Sequence, residues 1–113
     1  MANDCLFCRI VRKDIPAAIV AEDAHCIAFR DISAQAPVHV LVIPRAHISS
    51  LNDVVDHAVV AQMHALAAQV VKAEGIDQRG FRAVINTNED GGQTVFHLHM
   101  HVLGGRRMSW PPG

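Results

Sequence analysis

A row of histidines near the carboxyl end constrains this chain more than any other feature. Three histidines, at positions 97, 99 and 101, alternate with apolar residues, and a glycine pair follows at positions 104 and 105. Successive side chains of a β-strand point to opposite faces. We therefore expect a strand over residues 95–103 with His97, His99 and His101 on one side and a sealed core on the other.

An imidazole row of this kind suits several chemistries. Histidine titrates near neutrality, so it can attack as a free base, transfer protons or bind metal. One such histidine would more often be a satisfied core residue, but three within five residues favour a functional site. Imidazoles this close repel one another when charged, so we expect them to stay largely neutral near pH 7. Because histidines two residues apart on a strand also bind zinc, the spacing leaves nucleophile and metal ligand open.

Length, charge and cysteine count limit the class of protein. The 113 residues, half of them hydrophobic, predict one domain over residues 1–113, small enough that a second subunit would help. The formal net charge of −1 and the lack of a basic run disfavour nucleic acid and membrane partners. No apolar run is long enough to span a bilayer, and residues 1–4 lack a signal-peptide profile, so we expect a cytoplasmic protein. An odd cysteine count disfavours a disulfide framework.

The apolar pattern predicts an α+β fold. Steps of three and four residues indicate one long helix from about Asp53 to Glu74, ended by Gly75. Consecutive strands favour an antiparallel sheet of about five strands with this helix packed on it. The other expected elements are a short helix over residues 7–12, strands over residues 19–22, 26–29, 38–43 and 81–86, a turn over residues 89–93 and an irregular tail over residues 105–113.

The histidine row fits the His-x-His-x-His-x-x signature, with x apolar, of the histidine triad (HIT) family of nucleotide hydrolases and transferases. The chain resembles the Hint branch of that family over nearly its whole length. Further segments that resemble the family, in the same order, are residues 29–39, residues 42–49, Asn86 with residues 90–95, and the tail residues 109–113. The resemblance implies a HIT-like fold whose sheet continues across a homodimer, with the tail near the partner's active site.

The resemblance also implies a reaction, the hydrolysis of nucleoside 5′-monophosphate derivatives such as phosphoramidates. The middle histidine, His99, would attack the α-phosphorus and form a covalent nucleotidyl-histidine that water then hydrolyses. His101 and His39 would contact the phosphate or the leaving group and move protons. A backbone carbonyl nearby would hold His99 in its reactive tautomer.

Several residues are candidates to bind the substrate, a purine nucleotide. Asp31 would accept hydrogen bonds from the ribose, although an aspartate in this context is about as often a turn or cap residue. Phe29 and Ile32 would enclose the base, and Phe7 and Ile10 either extend that pocket or pack in the core. The remaining candidates lie at the phosphate or in the tail: Asn86, Gly92, Gln93, Thr94 and Trp110. Thr94 stands where Hint proteins often carry serine.

Cys5 and Cys8 form a C-x-x-C pair that is by itself weak evidence. It is a redox pair, half of a zinc site or two buried thiols. The pair resembles the N-terminal cysteines of HIT proteins that carry structural zinc, and the resemblance implies that His47 and His97 complete the site. His97 would then act on catalysis indirectly, by anchoring the segment that aims His99. We expect no organic cofactor.

Two other functions stay open. A purine-nucleotide-binding regulatory or scaffold protein would bind with little turnover, although a pure binder needs no nucleophile. A dinucleoside polyphosphate hydrolase is the other, and the Trp-Pro-Pro tail that begins at Trp110 disfavours it. The sequence indicates neither the leaving group nor a preference between adenine and guanine.

Overall fold

The structure is a computed structural model that describes residues 5–113; residues 1–4, on which the signal-peptide prediction rests, lie outside it. The helices are α1 (Leu6–Val11), α2 (Ala58–Ala73) and α3 (Asn88–Gly91), and a 3-10 turn spans Leu51–Asp53. The strands are β1 (Ile19–Glu22), β2 (Cys26–Arg30), β3 (Val38–Pro44), β4 (Phe81–Val84) and β5 (Met100–Gly104). None of the described helices has the length and apolar character needed to cross a membrane.

The five strands form one sheet in the order β1-β2-β3-β5-β4. Every neighbouring pair is antiparallel. Helix α2 lies against one face and contacts β1, β2, β3 and β5. These observations confirm the predicted α+β class, the five-stranded antiparallel sheet and the single long helix.

The central strands are buried on both faces, which explains why β2 and β3 are apolar along almost their whole length. One set of alternating residues packs under α2 with Leu66 and Val70: Cys26, Ala28, Val40, Val42, Leu98, Met100 and Val102. The other set packs with Phe7 and Ile10 of α1 on the opposite face: Ile27, Phe29, Leu41 and Ile43. The face away from α2 is therefore the one that the histidines share.

The histidine strand is shorter than predicted, since only Met100–Gly104 is paired and His97 and His99 precede it. In the register that pairs Val42 with Met100, residue 98 would face Pro44, which has no N–H to donate. The N–H of Leu98 instead donates to the carbonyl oxygen of Ile48 at 2.6 Å. The alternation predicted for this run survives, because Leu98 and Met100 still pack under α2.

Three other elements differ from the prediction by more than one residue at an end. Helix α2 begins at Ala58 rather than near Asp53, because Val54 is extended and the carboxylate of Asp56 accepts the N–H of Ala58 at 3.0 Å. Strand β4 ends at Val84, where its pairing with β5 ends. The turn predicted over residues 89–93 is mostly the short helix α3, which Gly92 ends at a φ of 80°. The C-terminal tail is irregular, as expected.

Candidate active site

A cleft of about 550 Å³ opens on the sheet face opposite α2. Its walls are largely apolar and come from α1, the segment after α1, β2 and β3, and its floor carries two of the three predicted histidines. The predicted site residues in its lining are Phe7, Ile10, Phe29, Asp31, Ile32, Thr94, His99 and His101. An apolar cleft with a few polar groups at one end has the usual composition of a small-molecule site.

The ring of His99 is fixed in one orientation. Its Nδ1 lies 2.7 Å from the carbonyl oxygen of His97, and the edge of Phe7 contacts the ring at a centroid distance of 5.1 Å. A carbonyl oxygen only accepts hydrogen bonds, so Nδ1 carries the proton. In the neutral ring the lone pair is then on Nε2, which is the nitrogen left to react.

His39 and His101 form a second hydrogen-bonded unit beside His99. The backbone N–H of Gln35 donates to Nδ1 of His39 at 3.0 Å, so the proton of the neutral His39 ring is on Nε2. That Nε2 lies 2.9 Å from Nδ1 of His101 and donates to it. The proton of His101 is consequently on its Nε2. These two hydrogen bonds in series make the Nε2–H of His101 a hydrogen-bond donor toward the cleft.

Burial keeps both rings of this pair uncharged at neutral pH. Burial, together with the nearby His99 and His39, which disfavour another positive charge, lowers the pKa of His101 to about 4. Burial also lowers the pKa of His39, while the carboxylate of Asp31, 3.4 Å away, acts in the opposite direction. Near pH 7 the two histidines therefore hold one proton each.

Asp31 makes a turn contact and also lies at the cleft. Its Oδ1 accepts the backbone N–H of Ser33 at 2.7 Å, which is a turn contact. Its Oδ2 faces His39, and the residue also lines the cleft. Asp31 thus shapes the loop before β3, and its carboxylate lies beside His39 at the cleft.

Cys5, Cys8, His47 and His97 come together behind His99, with their ligand atoms all within 4.8 Å of one another. Sγ of Cys8 lies 3.2 Å from Nδ1 of His47, and Sγ of Cys5 lies 3.4 Å from Nδ1 of His97. For a tetrahedral zinc ion, usual bond lengths put sulfur and nitrogen ligands about 3.5 Å apart. The four residues therefore fit a closed tetrahedral metal site.

His97 is already oriented as a metal ligand. Its Nε2 donates to the carbonyl oxygen of Pro44 at 2.8 Å, which leaves the Nδ1 lone pair facing the two cysteines. Such a bond on the far nitrogen is the usual support of a metal-binding histidine. Burial lowers the pKa of His97 and so favours the neutral, ligating form. The backbone oxygen of the same residue accepts the hydrogen bond from His99, so His97 connects the cluster to the cleft.

Some predicted binding residues do not line the cleft. Gln93 is buried, and its amide is used by the backbone: Nε2 donates to Ser49 and Val95, and Oε1 accepts from Asn88. The lining also lacks Asn86, Gly92 and Trp110, and Trp110 is 82% exposed. Within the described residues, the side chain of Gln93 thus stabilises the loop before Thr94 by hydrogen bonds to backbone groups.

Other lining residues were not singled out from the sequence. Leu41 could have been, because it lies two residues after His39 on β3 and so shares its face. The segment after α1 carried no such signal, since its position depends on how α1 packs. The further lining residues are Leu6, Ile15, Pro16, Ala17, Ala18, Arg30, Ser33 and Val95.

Comparison with known proteins relates the whole fold to one family. The sequence model of the HIT domain matches residues 12–108. The purine nucleoside phosphoramidase of Escherichia coli K12 is 47% identical, over 94% of this chain and 91% of that protein. An uncharacterized HIT-like protein of Synechocystis sp. is 50% identical over the full length of both.

Solved structures of similar fold relate the chain to the same family. A HIT family hydrolase from Legionella pneumophila has a TM-score of 0.94 at 49% identity, covering 97% of this chain and all of the other. A histidine triad protein from Clostridium difficile has a TM-score of 0.91 at 42% identity, covering 94% of both chains.

Proposed function

The chain belongs to the HIT family, and from this premise we propose that it hydrolyses nucleoside 5′-monophosphate derivatives, adenosine phosphoramidates among them. The observation that carries the proposal is the hydrogen bond of His99: its Nδ1–H is held by the carbonyl oxygen of His97, and within residues 5–113 its Nε2 makes no hydrogen bond. A neutral imidazole in a cleft is a competent nucleophile toward phosphorus. The relative named purine nucleoside phosphoramidase supports the choice of substrate.

The reaction proceeds in two displacements. Nε2 of His99 attacks the α-phosphorus, the bond from phosphorus to the leaving amine breaks, and a nucleotidyl-His99 forms. The departing nitrogen takes its proton from solvent water, while the Nε2–H of His101, held as a donor by His39, stabilises the reacting group by a hydrogen bond. Water then attacks the same phosphorus and releases its proton to solvent, and the nucleoside monophosphate leaves with His99 regenerated.

The cleft suits a nucleoside at its apolar end. Phe29 and Phe7 meet edge to face at 5.5 Å and, with Ile10, form an apolar wall for the base. Asp31 accepts hydrogen bonds from the ribose hydroxyls. Thr94, which lies in the lining near His99, offers a hydroxyl to the phosphate.

We also propose that zinc occupies the site of Cys5, Cys8, His47 and His97. Bound there, it supplies no chemistry to the reaction; it holds its four ligands together. The residues of the chain transmit the effect, because His97 is both a ligand and the acceptor of the His99 proton. A fixed His97 backbone keeps Nε2 of His99 aimed into the cleft.

A second copy of the chain is proposed to pair along β4. This strand is at the edge of the sheet and ends it with unpaired backbone groups, and its Phe81 is 43% exposed. Arg82 on β4 donates to the carbonyl of Ser109 at 2.9 Å, so the tail runs beside the same edge. Pairing there would bring Trp110 close to the partner. Sedimentation as a monomer at micromolar concentration would refute this pairing.

The test of the hydrolase is turnover of an adenosine phosphoramidate by wild type and by His99→Ala. We expect His99→Ala to lose about a thousandfold or more in kcat, as removal of a nucleophile does. His64→Ala, which changes an exposed histidine on α2, should keep wild-type activity. Equal turnover by His99→Ala and wild type would overturn the proposal. Tight binding of AMP by wild type without turnover would instead favour the nucleotide-binding protein.

A further inference from the structure

A second cavity, of about 480 Å³, lies where the loop after α2 meets the residues that follow β5. Its lining is Gly75, Ile76, Arg79, Gly80, Gly105, Arg106 and Arg107, and none of these residues lines the catalytic cleft. Its volume is within the range of small-molecule pockets.

The charge of this cavity is one-sided. Three of its seven lining residues are arginines, and the lining contains no carboxylate. Elsewhere in residues 5–113, Arg12, Arg30 and Arg45 each form a salt bridge with an acidic side chain. The three cavity arginines form none within the same range. Guanidinium groups that share a concave surface repel one another unless an anion joins them.

Two of the three guanidinium groups are available to a ligand. Arg106 is committed, because its Nε and Nη2 both donate to the carbonyl of Gln35, at 3.1 and 3.0 Å. The side chains of Arg79 and Arg107 donate no hydrogen bond within the described part of the chain, and both residues are exposed.

Part of the wall between these arginines is exposed glycine backbone. At Gly75 and Gly80, no atom beyond the glycine and its two chain neighbours lies within 4 Å of the position where a Cβ would stand. A ligand can therefore approach the main chain closely while the guanidinium groups reach it from the sides.

We propose that this cavity binds the phosphate groups of a small phosphorylated molecule, at a site separate from the catalytic cleft. Arginine forks pair with phosphate oxygens through two parallel hydrogen bonds, which makes phosphate the anion that best matches Arg79 and Arg107. The space exceeds that of one phosphate and suits a diphosphate or a nucleotide. A nucleic acid is disfavoured, since the chain carries a formal net charge of −1 and the lining of the cavity has three arginines only.

The test titrates nitrogen-labelled full-length protein with inorganic pyrophosphate and follows the amide resonances by NMR. We expect the largest shifts at Gly75, Gly80 and Gly105. The double variant Arg79→Gln/Arg107→Gln should bind about tenfold more weakly or worse, because each lost charge-assisted pair is a strong one. Arg106 is left unchanged, since its partner Gln35 also donates to His39.

Arg9→Gln is the matched control, because it removes one charge from an exposed position on α1 outside the cavity. It should bind pyrophosphate as wild type does, and the spectrum of the double variant should show a folded protein. Equal affinity of the double variant and wild type would overturn the proposal. So would shifts confined to cleft residues such as Thr94 and His101, or no binding at millimolar pyrophosphate.

Discussion

Gln93 provides a sharp test of the site description, because sequence and structure assign it different roles. The resemblance implies that Gln93 contacts the substrate, whereas in the structure its side-chain amide stabilises a loop by hydrogen bonds to the backbone. Nε2 donates to Ser49 at 2.7 Å and to Val95 at 3.1 Å, and Oε1 accepts from Asn88 at 2.9 Å. The residue is 7% exposed, so these bonds are made out of solvent.

The magnitude follows from those three bonds. Each contributes about 1 kcal/mol net, and a buried partner left unsatisfied costs about 1–3 kcal/mol. Water can reach part of the space that Gln93→Ala opens, so we expect the free energy of unfolding to fall by about 2–4 kcal/mol. For a domain of this size, that lowers Tm by about 10 °C or more.

The assay is urea unfolding followed by far-ultraviolet circular dichroism, with all proteins at one concentration. Gln69→Ala on the exposed face of α2 is the matched control and should change stability by less than about 0.5 kcal/mol. If Gln93→Ala were as stable as this control while KM for an adenosine phosphoramidate rose steeply, Gln93 would be a substrate contact. The stabilising role of its hydrogen bonds would then be refuted.

Three further predictions concern packing, pH and metal. Gly104→Ala would put a Cβ 2.6 Å from Cδ1 of Ile76, so urea unfolding should show that the free energy of unfolding falls by about 1–3 kcal/mol. Gly91→Ala, whose Cβ would have no neighbour closer than 3.6 Å, should lose far less stability. Equal losses in the two variants would contradict the packing of Gly104 against Ile76. The pKa of His101 is lowered to about 4 in the folded protein. His101 of the unfolded chain therefore takes up a proton below about pH 6.5, whereas His101 of the folded chain does so only near pH 4. The free energy of unfolding should consequently decrease as the pH falls from about 6.5 to about 4. His101→Gln should weaken that pH dependence, and an unchanged dependence would exclude His101 as a source. Elemental analysis should find zinc in the wild type and little in Cys8→Ser, with a lower Tm for the variant; a wild type free of zinc would refute the metal proposal.

The sequence predicted the fold well where one physical rule decided the outcome. The apolar runs of β2 and β3 and the three- and four-residue spacing of α2 were sufficient for the sheet and its helix. The predicted length of the histidine strand was wrong because of the strand beside it. Pro44 of β3 ends the hydrogen-bonded pairing opposite residue 98, and that position follows only from the register of β3 and β5. A strand's length depends on its partner, which local pattern does not contain.

The candidate site was predictable in its chemistry and less so in its contacts. Two histidines of the predicted row, His99 and His101, line the cleft, and the four predicted metal ligands do lie together. Two features had no sequence signal. The Gln35 N–H that sets the tautomer of His39 depends on the exact path of a loop, and the cleft wall at Ile15 depends on how α1 packs.

The most direct test of the nucleotidyl-His99 intermediate is the stereochemistry at phosphorus. A phosphoramidate analogue with sulfur on the α-phosphorus, of one known configuration, is hydrolysed in isotopically labelled water and the product configuration is read by phosphorus NMR. Two successive in-line displacements, the first by Nε2 of His99, predict retention of configuration. Inversion would mean that water attacks the substrate directly, and it would contradict His99 as the nucleophile.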